Sequence, residues 1–120
     1  VRVGLATDVG GGSSFSMLRT MAAAYEIGQR RGAALTPAQL WWLATAGSAR
    51  ALRLEGRVGN LAEGLEADAV LLDPAATPLL AARAARAAAP EDLLFALAML
   101  GDDRAVLETW SGGRRVHRQP

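Results

Sequence analysis

The chain contains no cysteine. That excludes a disulfide framework, a thiolate zinc site and a cysteine nucleophile. It fits a reducing compartment, and a cytoplasmic location is expected. Histidine occurs once, at His117. A zinc centre needs three or four protein ligands, so one histidine near a terminus reads as a surface residue. A Ser-His-Asp set cannot be completed around it either. Lysine is absent, and all 13 basic residues are arginine. With so much alanine, this reads as a bias of codon composition, not as a site. The net charge is +1, which gives no reason to expect nucleic acid or an acidic membrane as a partner. No apolar run approaches the ~18 residues of a membrane helix. No signal peptide is visible. An initial Met is lacking too, and Val1 already lies in an apparent strand. A piece of a longer protein is therefore expected.

What is present suits one modest folded domain. The 120 residues are 51% apolar, too many for a disordered chain. By size scaling, folding could bury about 65% of the unfolded surface. Residues 1–6, VRVGLA, alternate Val1, Val3 and Leu5 on one face and predict a short buried strand. Asp8 closes this run. The loop DVGGGSS follows at residues 8–14, and Ser13 or Ser14 can cap a helix over residues 15–31. Gly32 stands where a C-terminal cap belongs. Thr36, Pro37 and Gln39 form a strong helix start with a capping box. Gly47 is expected to interrupt that helix, with a further helical turn over residues 48–54. Trp41 and Trp42 are expected to make core or interdomain contacts.

The character changes near Gly56, where a subdomain boundary is placed. Residues 1–55 form one part and residues 56–120 the other. Turn glycines at 56, 59 and 64 precede a predicted strand over residues 67–72, stopped by Asp73-Pro74. Thr77-Pro78 opens a predicted helix to residue 89. Pro90, Glu91 and Asp92 open another to residue 100. Residues 104–118 predict a hairpin around Ser111-Gly112-Gly113. The expected architecture is α/β in class, mostly helical with a few short strands.

Asp8 is the most informative residue. A carboxylate at the carboxyl end of a buried strand is where α/β enzymes place ligands and catalytic groups. The same residue could equally cap its own turn. The loop Gly10-Gly11-Gly12-Ser13-Ser14 could offer amides to an anion. It lacks the lysine and the spacing of a phosphate loop, so a sharp backbone bend beside a substrate fits better. Asp102-Asp103 reads as a turn. Glu66 and Asp68 read as solvated, and Arg83 and Arg86 as one solvent-facing or interdomain helix face. One titratable group without partners is an incomplete active site.

Residues 4–27, GLATDVGGGSSFSMLRTMAAAYEI, resemble the last barrel strand, loop and helix of guanine deaminases of the amidohydrolase superfamily. The resemblance continues through residues 35–80 and 94–114. The Thr-Asp dipeptide before glycines is shared across the superfamily. The runs SFSMLRT, ATPLL and LGDDRAV are more specific. The resemblance implies a (β/α)8-type barrel with a small β-sandwich assembled from both chain ends. It implies hydrolysis of guanine to xanthine and ammonia by a water that a divalent metal, usually zinc, makes acidic. It implies that Asp8 contacts that metal and carries the proton from water to the leaving amine. The chain departs from the family pattern in what it lacks. The His-x-His pair, the later histidine ligands and the purine-gripping Arg and Gln are missing, as are all barrel strands but the last. The isolated chain is therefore expected to bind little zinc and to be inactive. Another heterocycle deaminase or chlorohydrolase of the superfamily remains an alternative. So does a non-catalytic assembly module. An unpaired strand at residues 1–6 would seek another chain, so a homo-oligomer is expected.

Overall fold

The computed structural model describes all residues, Val1–Pro120. In chain order it contains α1 (Met17–Arg30), α2 (Pro37–Ala44), α3 (Ala46–Ala51), β1 (Ala69–Leu72), α4 (Pro78–Ala84), α5 (Pro90–Leu100), a 3-10 turn (Asp103–Ala105), β2 (Val106–Ser111) and β3 (Arg114–Arg118). The expected balance of many helices and few strands is found.

Local chemistry accounts for most element ends. Thr36 accepts the Gln39 N–H through its hydroxyl, and the Gln39 side chain accepts the Thr36 N–H at 2.8 Å. Two orphan donors of α2 are thereby satisfied. Thr77 caps α4 in the same way through the Leu80 N–H. Gly32 ends α1 with a φ of 71°, a conformation that costs glycine little. The hairpin loop is Gly112-Gly113, both at positive φ, as a two-residue turn matched to strand twist requires.

Four expectations need correction. Residues 1–6 form no strand. They run extended and largely exposed, tied by one backbone bond from Leu5 N–H to Leu43 O at 3.0 Å. A strand is defined by a neighbouring ladder, and no neighbour is present. Helix α1 starts at Met17, capped by Ser16; Ser14 instead accepts the Ser16 N–H at 3.0 Å. The α2–α3 break falls at Thr45, with φ −127° and ψ −98°, not at Gly47. Gly47 is buried inside α3, where a Cβ would meet the Trp42 ring at 2.7 Å. Finally, α4 stops at Ala84. Ala89 precedes Pro90 and must be extended. It has φ −138° and ψ 160°, and the Asp92 carboxylate accepts the N–H groups of Ala88 and Ala89.

Helix α5 is the organising element. Its Ala98 joins Leu18 and Met21 of α1 and Leu40 of α2 in one cluster. Its Ala96 and Leu97 join Leu80 of α4 and Ala105 in a second. Trp41 touches both clusters, and its indole N–H donates to Leu94 O at 2.9 Å. The sheet is antiparallel in the order β1-β2-β3. Leu72 packs on both clusters and so joins the sheet to the helices. Leu40 is fully buried. Leu40→Ala is therefore expected to cost about 2–5 kcal/mol of stability. Urea unfolding measures this, and a loss below about 1 kcal/mol would show that the site collapses around the cavity.

Candidate functional site

Asp8 sits at the end of the extended N-terminal segment, with its side chain exposed. The segment is anchored by contacts that no local pattern reveals. Ser48 Oγ lies 2.7 Å from Leu43 O and 3.0 Å from Leu5 O, sharing its hydrogen between two carbonyls. Gly4 lies against the same residue. A Cβ there would fall 2.5 Å from Ser48 Oγ. Sequence reasoning missed Gly4 and Ser48, because the contact joins residues more than 40 positions apart.

The loop holds Asp8 in an unusual backbone state. Its φ is 50°, in the left-handed region that Asp and Asn tolerate better than most residues. Its carbonyl accepts the N–H groups of both Gly11 and Gly12. Those amides are therefore spent inside the loop and not presented to an anion. Glycine is required at Gly12, where the obstacle is backbone, while a side chain at Gly11 would displace the Asp8 carboxylate. A Cβ on Gly11 would lie 2.8 Å from Asp8 Oδ2, and one on Gly12 would lie 1.9 Å from Thr7 O. The loop thus folds tightly back on Asp8 and leaves its carboxylate in the open.

The other polar residues stand apart from this arrangement. His117 is exposed on β3 and borders a shallow depression with Asp103, Arg104, Val106 and Gln119. Asp102 caps the 3-10 turn and binds the Arg104 guanidinium, which is the main reason its carboxyl lies below the usual range. Glu108 is likewise held low, first by the Trp110 indole N–H and then by Arg115. Asp68 accepts the Gly112 N–H at 2.7 Å and fastens the hairpin to β1. Glu66 pairs with Arg57. Arg83 is half-buried and Arg86 exposed. Each of the three carboxylates Glu66, Asp68 and Asp102 thus has a local structural partner. Nowhere do three His, Asp or Glu side chains come together as a metal centre. The residues of this chain do not fit a complete metal site; Asp8 could be one oxygen ligand among others.

The sequence profile described as "Amidohydrolase family" matches residues 1–116. This chain belongs to the amidohydrolase family. Within that family it is 40% identical to the guanine deaminase of Escherichia coli (strain K12), over 99% of this chain and 27% of the relative. It is 46% identical to a probable guanine deaminase of Deinococcus radiodurans, over 94% of this chain and 26% of the relative. The solved structure of E. coli guanine deaminase superposes on all of this chain with a TM-score of 0.97, using 28% of its own length. The amidohydrolase chain thus spans little more than a quarter of these relatives. No helix in it is long and apolar enough to cross a membrane.

Proposed function

We propose that this chain is the C-terminal part of a guanine deaminase, and that Asp8 is its catalytic carboxylate. The superposition on a guanine deaminase over the full chain carries the reading. In this reading residues 1–55 end the hydrolase barrel and residues 56–120 form the tail subdomain. The remaining metal ligands and the purine-binding groups belong to other parts of the parent protein. The surface supports such a division. The chain exposes 8079 Å², against about 6,200 Å² for a compact monomer of its mass. Only 12 of 120 residues are buried, while Val1, Val3 and Trp42 stay exposed. Apolar surface of that extent calls for further protein to cover it.

Asp8 suits proton transfer in the hydrolysis. Its carboxylate is exposed, its carbonyl accepts the Gly11 and Gly12 N–H groups, and the segment leading to it is anchored by the bond from Leu5 N–H to Leu43 O. It takes the proton of the attacking water and delivers it to the departing amino group, so one group serves as base and then as acid. Zinc is the metal we assign to the parent and the cytoplasm its compartment. Metal analysis of the purified full-length protein would refute the first assignment if it found no stoichiometric zinc.

The full-length protein should release xanthine and ammonia from guanine. Adenine, cytosine and a chlorotriazine serve as the comparison substrates. Turnover of one of these with none of guanine would refute the substrate. The separated 120-residue chain should release no xanthine even with zinc supplied, because it brings a single candidate ligand. Measurable turnover by that chain would overturn the division of the site.

A further inference from the structure

Helix α2 ends at Ala44 because Thr45 leaves helical geometry, with φ −127° and ψ −98°. Leu43 O is one of the last four carbonyls of α2, which have no partner inside a helix. Two groups outside α2 fill it. Leu5 N–H donates to it at 3.0 Å, and Ser48 Oγ lies 2.7 Å away. The same hydroxyl lies 3.0 Å from Leu5 O. Both backbone polar groups of Leu5 are therefore engaged by residues at the α2–α3 break. In extended chain the N–H and C=O of one residue point to the same edge. The Leu5 N–H is spent on that edge, so a neighbouring barrel strand in the parent protein cannot take over the hold there. Gly4 permits the approach, since a Cβ on it would stand 2.6 Å from Ser48 Cα. Arg2 adds only exposed ties, to Arg50 O at 3.4 Å and to Glu55 at 3.6 Å.

This clamp runs directly into the Asp8 loop. Gly12 is pressed against Thr7 O, and Asp8 O accepts the N–H groups of Gly11 and Gly12. Ala6 alone lies between that turn and Leu5. We propose that Ser48 is a positioning residue for Asp8, fixing through Leu5 where the carboxylate stands relative to the water and the amino group it serves. The proposal rests on the guanine deaminase reading and on the acid–base role given to Asp8. A proton carrier works only within hydrogen-bond reach of its partners. Alanine at position 48 cannot donate to Leu5 O, and the segment then hangs on one hydrogen bond at Leu5 in place of two.

A double-mutant cycle in the full-length protein tests this, with steady-state kinetics on guanine. Ser48→Ala should lower kcat by about 10- to 100-fold, the order that a shift of up to about 1 Å costs at a catalytic group. KM should stay within about threefold of wild type, because the lost interaction serves proton transfer and not binding. In an Asp8→Asn background the same change should cost less than about threefold in kcat, since residues that act through one another are not additive. Gly4→Ala reaches the contact from the other side and should repeat this pattern. Thr77→Ala deletes a capping hydroxyl far along the chain and should leave kcat unchanged. An equal loss from Ser48→Ala in both backgrounds overturns the proposal and makes Ser48 merely structural. So does a Ser48→Ala protein that no longer melts cooperatively, or one with wild-type kcat. Wild type inactive on guanine, or Asp8→Asn as fast as wild type, instead overturns the functional reading and this proposal with it.

Discussion

Asp8→Asn in the full-length enzyme is expected to lower kcat on guanine by about 10²- to 10⁴-fold, the usual contribution of a positioned acid–base group. The substitution is chosen for its backbone. Asp8 has φ 50°, and asparagine adopts that left-handed state as readily as aspartate. Its amide has the size of the carboxylate, so Gly11 still has room beneath it. The Asp8 carbonyl keeps the Gly11 and Gly12 N–H groups. What disappears is the capacity to take a proton from water. Circular dichroism and thermal melting should match wild type while turnover collapses. A rate near wild type in Asp8→Asn would refute the role assigned here. Asp8→Ala is the less informative change, since alanine at this φ adds backbone strain of order 1–3 kcal/mol to the chemical loss.

Gly12→Ala should do comparable damage by geometry alone, about 100-fold in kcat/KM. Gly12 is not at positive φ, so the reason is space and not conformation. Its added Cβ would stand 1.9 Å from Thr7 O and 3.0 Å from Asp8 O. Both neighbours are backbone atoms and cannot rotate away. The peptide before Asp8 must move by about 1 Å or more, and a displacement of that size at a catalytic group costs on the order of 10²-fold. Gly56→Ala is the control, because nothing lies within 4 Å of the Cβ there and its φ is ordinary. It should leave kcat/KM unchanged. Equal kinetics for Gly12→Ala and Gly56→Ala would show that the Asp8 loop is not held by the close approach of Thr7 and Gly12.

The amino-acid sequence by itself determined the pieces whose stabilising partners lie a few residues away. Thr36 with Gln39, Thr77 before Pro78, Gly32 after α1 and Gly112-Gly113 in the hairpin each act within one turn of chain. Their elements begin or end within a few residues of the expected places. It also singled out Asp8, since a carboxylate after an apolar run and before glycines is a local pattern. Tertiary structure decided what depends on distant atoms. The strand expected at residues 1–6 needs a ladder that no part of this chain provides, so alternating valines yield only extended backbone. Gly47 was legible as a glycine but not as the seat of the Trp42 ring. Gly4 and Ser48 carry no local signature, yet their contact anchors the segment that leads to Asp8. Short-range hydrogen bonds form in any fold that keeps the segment intact; close packing between remote residues exists only once the fold has brought them together.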